Sequence, residues 1–216
     1  MKEATIIGLI SDTHGLVRPE VFAALDGVSR IFHAGDVGPP EVLIELATIA
    51  PIQAVWGNTD APGRSDLVER IEETIDGVRI VVTHGHEIGS VNPPRLVSAY
   101  MNADVIVYGH THVQLVTKAA RRIVVNPGAA GPRRFKLQPS VAKLYILNGK
   151  ADVELIPLGI PEDVVVDDDG DRGPIPADRW VLVPDGWFKG GLQPDQADRV
   201  DQAEAISVAG NIFCSS

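Results

Sequence analysis

Short apolar runs that stop at polar residues recur along this chain, and their spacing changes character about a third of the way through. The first run, Thr5-Ile6-Ile7-Gly8-Leu9-Ile10-Ser11, is β-branched and almost unbroken, the pattern of a central strand buried on both faces. It stops at Asp12-Thr13-His14. Residues 15–19 read as a loop, and 20–25 place Val21, Phe22 and Leu25 on one side of a helix. Residues 30–34 predict a second strand running into Gly35-Asp36. Beyond the Pro39-Pro40 break, 41–50 predict an amphipathic helix and 52–56 a third strand ending at Gly57-Asn58. Strand and helix alternate, so the strands should be parallel with crossover helices, each delivering polar residues to the same edge of a sheet.

The next stretch is mostly β. Asp76-Gly77 lies between runs at 72–75 and 78–83, a strong hairpin signal, and the second run ends at His84-Gly85-His86. Residues 93–101 predict a helix, and 105–108 a buried strand ending at Gly109-His110-Thr111-His112. Runs at 115–119, 123–126, 141–147 and 152–158 predict a meander, with a turn at Asn148-Gly149. Beyond Pro161 the composition shifts to Asp, Gly and Pro, which divides the chain into a body of 1–159 and an extension of 160–216. In the extension, 180–188 predict a further hairpin carrying Trp180 and Trp187, and the tail from Gly190 a loop and one short helix. Asp167-Asp168-Asp169-Gly170-Asp171 lacks the spacing and terminal Glu of a calcium loop and reads as a solvated turn.

A chain of 216 residues is long enough for one full-sized core. Its formal net charge is −10, and from Glu162 onward there are 12 acidic and four basic side chains, so the body is almost neutral and the tail acidic. That balance argues against strong affinity for nucleic-acid backbone or for an anionic membrane. No apolar stretch is long enough to cross a bilayer, and Met1-Lys2-Glu3-Ala4 leads straight into a strand, so a cytoplasmic protein is expected. Cys214 is the only cysteine, so any metal here must use nitrogen and oxygen ligands.

Five strand ends then stand in order: Asp12-x-His14, Gly35-Asp36, Gly57-Asn58, His84-Gly85-His86 and Gly109-His110-x-His112, and all six histidines lie in or beside them. Side chains two apart on extended chain face the same way, so Asp12 with His14, and His110 with His112, can share a site. Carboxylate, imidazole and amide oxygen without sulfur suit Mn, Fe, Co, Ni or Zn. Seven such groups are too many for one ion, and two ions sharing a bridging carboxylate is the economical arrangement. Two ions about 3.5 to 4 Å apart lower the pKa of a shared water and stabilise phosphoryl charge in an in-line displacement, the chemistry of phosphoester hydrolysis.

In order and spacing these blocks resemble the calcineurin-like metallophosphoesterases. Ser11-Asp12-Thr13-His14-Gly15 and Val125-Asn126-Pro127-Gly128 narrow the resemblance to their small bacterial and archaeal phosphodiesterase branch, over roughly residues 5–158. The resemblance implies an α/β fold, a four-layer α-β-β-α sandwich of two mixed sheets flanked by helices, with the C-terminal extension beyond it. It implies that Asp12, His14, Asp36 and His112 hold one divalent ion, that Asp36 bridges, and that Asn58, His84 and His110 complete a second. Manganese is the expected metal, with Ni, Fe, Co or Zn as alternatives, and a hydroxide held between the ions would attack a small phosphodiester. Asn126 and Gly128 would shape the substrate pocket.

Other residues keep two readings each. His33 and His86 either support ligands or touch substrate, or are solvated; Asp60 either orients a ligand or sits in a solvated turn. Arg133 and Arg134 either clamp a phosphate or form an exposed basic turn. The family's Gly-Asn-His pattern is Gly57-Asn58-Thr59 here, so the leaving-group proton donor expected of the histidine is missing, which favours good leaving groups or another donor such as His33 or His86. A phosphomonoesterase or nucleotidase is the alternative within the same chemistry. A non-catalytic metal-binding scaffold is the alternative outside it, since a retromer subunit resembles this branch and serves chiefly as a binding platform. The acidic extension 160–216 is expected to be a passive segment packed on the core; the alternatives are that it covers a sheet edge, contacts another copy in a homo-oligomer or caps the site.

Overall fold

The computed structural model describes residues 3–133 and 137–159, together with the backbone of strand residues 180–183 and 186–189. By its contacts the chain forms two units, Met1–Ile160 and Pro161–Ser216. The first unit opens with β1 (Thr5–Ile10), α1 (Pro19–Ala24), β2 (Arg30–His33), α2 (Glu41–Leu46) and β3 (Ile52–Ala54), the expected alternation. It continues with β4 (Ile71–Ile75), β5 (Val78–Val82), α3 (Pro93–Ala99), β6 (Val105–Val107), β7 (Leu115–Ala119), β8 (Arg122–Asn126), β9 (Ser140–Leu147) and β10 (Lys150–Pro157). The second unit contributes β11 (Trp180–Val183) and β12 (Gly186–Lys189), an antiparallel pair in the register Trp180 with Lys189 and Val183 with Gly186. The Asp cluster at 167–171 and the helix expected after Gly190 lie outside the described residues.

The first unit holds two mixed five-stranded sheets. One runs β10-β9-β1-β2-β3, with β1, β2 and β3 parallel; the other runs β4-β5-β6-β8-β7, with β5, β6 and β8 parallel. Alternation along each strand sorts the apolar side chains into three layers. Ile7, Leu9, Phe32, Val82, Val107, Val125 and Leu144 fill the space between the sheets. Ile10, Ile31 and Val141 point the other way and meet Val21 of α1 and Val42 and Leu46 of α2. Val81, Ile106 and Val124 meet Leu96 of α3 on the outer face of the second sheet. The result is the four-layer α-β-β-α sandwich.

Two expectations need correcting. The four strands after residue 115 do not form one meander: β7 and β8 pair in the second sheet, whereas β9 and β10 join the first, with β9 antiparallel to β1. After β8 the chain crosses to the first sheet, where β9 lies between β1 and β10; it buries Ala142, Leu144 and Ile146 on its inner face and keeps Lys143 and Tyr145 partly exposed on the other. A hairpin signal is local and does not say which sheet the hairpin joins. The helix expected at 41–50 ends at Leu46, and beyond it the Thr48 hydroxyl donates to the Glu45 carbonyl at 2.7 Å, an alternative to continued helix. Among the described residues no helix is long and apolar enough to cross a membrane.

Candidate metal centre

The ends of β1, β2 and β3 meet the ends of β5 and β6 at one edge of the sandwich. The chain leaves these strands by turning sharply, with left-handed backbone at Asp12 (φ 53°), His14 (φ 45°), Asp36 (φ 53°), His110 (φ 67°) and His112 (φ 60°). Such conformations cost a non-glycine residue about 1 to 3 kcal/mol and persist only where surroundings enforce them. The remaining four described cases, Asp76, Ala120, Arg121 and Asn148, sit in two-residue hairpin turns that demand them. Asp12 with His14, and His110 with His112, therefore reach the site through left-handed residues, and the extended alternation expected of both pairs does not apply. Backbone bonds hold the bend: Asp12 N–H donates to the Gly35 carbonyl at 3.0 Å and His14 N–H to the Asp36 carbonyl at 2.9 Å.

The structure brings one donor atom from each of Asp12, His14, Asp36 and His112 within 4.8 Å of the others. His112 Nε2 lies 3.3 Å from Asp12 Oδ1 and 3.4 Å from His14 Nε2, and His14 Nε2 lies 3.8 Å from Asp36 Oδ2. On the other side of Asp36, His84 Nε2 stands 3.5 Å from Oδ1 and 3.2 Å from Asn58 Oδ1. His110 presents its ring edge-on to His84, with centroids 5.2 Å apart. Asp12 and Asp36 are 0 and 3 % exposed, so two carboxylates are withdrawn from water among imidazoles, an arrangement that needs positive charge to hold it. Nitrogen and oxygen donors converging on buried carboxylates fit a divalent cation.

The electrostatics follow from these contacts. Burial would raise the Asp36 carboxyl, but the His84 ring and the Thr59 N–H, which donates to Oδ1 at 2.9 Å, hold it well below the usual carboxylate range. Burial would lower the His84 imidazole; the hydrogen bond to Asp36, the charges of Asp12 and Asp36 and the Ala34 carbonyl more than offset this and raise it. Burial and the neighbouring His84 lower His110. The Ala34 carbonyl lies 2.8 Å from His84 Nδ1, which fixes a proton there and leaves Nε2 for a ligand. Metal binding would displace any second proton from Nε2.

Around this core the supporting residues resolve. Asp60 is buried, and its carboxylate accepts N–H groups from Gly57 at 2.8 Å, Gly38 at 2.9 Å and Val37 at 3.2 Å, so it clamps the loops that carry Asp36 and Asn58. A solvated turn does not describe it. His33 is fully buried; Nε2 is bonded to the Thr13 hydroxyl at 2.9 Å and Nδ1 accepts Gly35 N–H at 3.2 Å. Since the Thr13 hydroxyl donates to the Val37 carbonyl at 2.8 Å, it accepts from His33, and the imidazole is neutral with its proton on Nε2. Burial lowers its pKa from 6.5 to about 4, against the pull of nearby carboxylates. With both nitrogens committed, His33 is neither solvated nor a donor to a leaving group. His86 packs against Trp56, with ring centroids 4.8 Å apart, and against His84 at 5.3 Å.

Asn126, expected in the pocket, is fully buried: its amide donates to the Gly109 carbonyl at 2.8 Å and the Thr111 hydroxyl at 3.0 Å and accepts Gly128 N–H at 2.9 Å. It holds the His110–His112 loop from behind and is closed to solvent. Gly128 is likewise buried, and a side chain there would collide with Ser140. Arg133 is exposed and borders a small recess with His112 and Gln138; Arg134 lies outside the described residues. Gly57 is required, because a Cβ would strike the Asp36 carboxylate and its backbone. Ser11 and Thr13 received no role from the sequence. Ser11 donates to Asp12 Oδ2 at 2.5 Å, and Thr13 joins the two strand ends through His33 and Val37. Their signal was available: hydroxyl residues flanking a ligand at the end of a fully buried strand.

Comparison with known proteins agrees with this geometry. The profile of the calcineurin-like phosphoesterase superfamily domain matches residues 6–149. A probable metallophosphoesterase of Methanothermobacter thermautotrophicus is 37 % identical over 168 residues, 72 % of this chain and 94 % of that protein. A phosphodiesterase of Methanocaldococcus jannaschii is 29 % identical over 141 residues, 56 % of this chain and 82 % of that protein. Among solved structures, wild-type Vps29 of Entamoeba histolytica complexed with zinc superposes with a TM-score of 0.57 at 19 % identity, covering 71 % of this chain and 99 % of that one, a likeness of fold. The chain belongs to the calcineurin-like phosphoesterase superfamily.

Proposed function

We propose that this protein is a dinuclear metal-dependent phosphodiesterase. The observation that carries the reading is the position of Asp36: Oδ2 faces His14 at 3.8 Å and Oδ1 faces His84 at 3.5 Å, so one carboxylate turns an oxygen to each of two imidazoles from different ligand groups. Asp12, His14, Asp36 and His112 would hold one ion; Asn58, His84 and His110, with Asp36 shared, would hold the other, and manganese suits these donors. Bound there, two divalent ions supply a water of lowered pKa and positive charge for the phosphoryl oxygens. The rest belongs to the chain. Asp36 stays ionised under the influence of His84 and Thr59, and the Ala34 carbonyl orients His84. Asp60 and Asn126 fix the loops on which the ligands stand.

Thr59 is exposed beside the site and cannot protonate a departing alkoxide, which suits esters with acidic leaving groups. His86, in contact with His84 and 6.3 Å from His110 between ring centroids, is the imidazole left to serve as a donor. The M. jannaschii relative named as a phosphodiesterase supports the diester. The test is hydrolysis of bis-p-nitrophenyl phosphate and of p-nitrophenyl phosphate by metal-stripped protein resupplied with Mn, Ni, Zn or Mg, with Asp36→Ala as control and metal content measured. Two ions per chain and metal-dependent diester turnover lost in the variant are expected. Preference for the monoester would make it a phosphomonoesterase, and two bound ions without turnover a scaffold.

A further inference from the structure

The metal site makes no use of the most conspicuous side chain beside it. Leaving β3, the chain buries Val55 and turns Trp56 outward, with 39 % of the residue exposed, immediately before Gly57 and the candidate ligand Asn58. Its backbone is fixed, N–H to the Val68 carbonyl at 2.9 Å. Its ring meets His86 edge-on, centroids 4.8 Å apart at 61°, and His86 in turn lies 5.3 Å from His84 and 6.3 Å from His110. An unbroken aromatic wall thus runs from the candidate ligands to the surface. His86 Nδ1 is buried without a hydrogen-bond partner, 3.5 Å from the Glu87 carboxylate. That carboxylate is already taken by Thr83, Gly85 and Tyr100.

Beside the indole lies a cleft of about 410 Å³ lined by Trp56, Asn58, Ala61, Pro62, Arg64 and Leu67. This is the size of a small-ligand site. Asn58 borders both the cleft and His84, so the cleft and the metal site are continuous. Its one guanidinium, Arg64, is committed to the Asp66 carboxylate and the Gly38 carbonyl, with Asp60 3.8 Å away. The cleft therefore offers flat apolar surface and no uncommitted cation for a second phosphate. A large exposed indole wants an aromatic partner, and stacking on any π-face is favourable whatever its substituents.

We infer that this cleft is a substrate subsite that takes an aromatic ring on one ester arm, stacked on Trp56, while the phosphate occupies the metal site. The inference rests on the phosphodiesterase reading above and adds the substrate class: aryl or nucleobase-bearing phosphodiesters in preference to alkyl ones. Gly57 joins the two parts, so the ring and the phosphate are bound by adjacent residues of one loop.

The experiment uses the full-length, manganese-loaded protein and three probes that share a phosphoryl group: methylphosphonate, phenylphosphonate and thymidine 5′-monophosphate. Each is titrated as a competitor of bis-p-nitrophenyl phosphate hydrolysis and, separately, by tryptophan fluorescence. Phenylphosphonate or the nucleotide should bind roughly ten-fold more tightly than methylphosphonate, as expected for one stacked ring. The preference should collapse towards one in Trp56→Ala, and quenching should disappear in Trp56→Phe although Trp180 and Trp187 remain. The tighter of the two aromatic probes identifies the source of the ring. Equal affinities, a preference that survives Trp56→Ala, or quenching that survives Trp56→Phe overturns the subsite. If no ester is hydrolysed with any metal, the phosphodiesterase reading fails, and the fluorescence titration still decides the cleft.

Discussion

The two sheets bring different chemistry to the same edge. From the first come both carboxylates, the Asn58 amide and one imidazole; from the second come only imidazoles, His84, His110 and His112. The pairs that close the site, His84 with Asp36 and His112 with Asp12, cross from one sheet to the other. Bracing is also unequal. The acidic loops are tied by Asp60, His33, Thr13 and Ser11; on the imidazole side Asn126 holds the His110–His112 loop, and the imidazoles also lean on the acidic side, His84 through the Ala34 carbonyl and His110 through its N–H to Asp12 Oδ1 at 3.3 Å. Negative charge is set in place by one sheet, and the other sheet's ligands are oriented by it. A preorganised acidic half spares the site the cost of gathering like charges when a cation arrives.

The largest test of this asymmetry is Asp36→Asn, expected to lower kcat/KM by at least about 10³-fold, some 4 kcal/mol of barrier, with the fold intact by circular dichroism. His110→Ala should cost less in the same assay, and equal losses would break the comparison. Next is Asp60→Ala, which strands three N–H groups and should cost about 2 to 4 kcal/mol in denaturant unfolding of the metal-free protein. It should also weaken metal binding by roughly 10- to 100-fold, although Asp60 is no ligand. Asn126→Ala, the matching change on the imidazole side, should cost less, and the reverse order would contradict the unequal bracing.

His33 yields a pH dependence. Its folded pKa of about 4 lies below the unfolded 6.5, so between these values the unfolded chain binds a proton that the folded chain refuses. Its contribution is therefore complete above pH 6.5 and is lost as the pH falls towards 4, on the order of 3 kcal/mol in all. His33→Gln should remove that share of the slope when metal-free proteins are unfolded in urea across this range; parallel profiles would refute the neutral imidazole. The smallest effect is expected far from the site. Ala120 and Arg121 hold the left-handed turn between β7 and β8 without the residues such turns favour, and Ala120→Asn with Arg121→Gly should add about 1 kcal/mol to stability by urea midpoint, with turnover unchanged.

Much of this molecule can be read without coordinates because the strands are apolar and their ends are not. Runs such as Thr5–Ile10 and Val105–Val107 stop where ligands begin, so the sequence marks both the sheet and the edge that carries chemistry. What it does not carry is long-range pairing and backbone sign. Nothing local distinguishes β9 as a partner for β1 from β9 as the next strand of a meander. Asp12 and His14 look like alternating extended residues until their φ angles are known. Asp60 reads equally well as a solvated turn, because its three partners are backbone N–H groups of loops brought together only by the fold. Ala120-Arg121 gives no turn signal at all.

The strand order of the first sheet bears on how the chain is made. β1 is flanked by β2, which follows at once, and by β9, which is separated from it by more than half of the first unit. During synthesis β1 therefore waits with one edge open until residues 140–147 have left the ribosome. An open apolar edge is a template for pairing with another chain. Products that stop short of β9 should accumulate as aggregates.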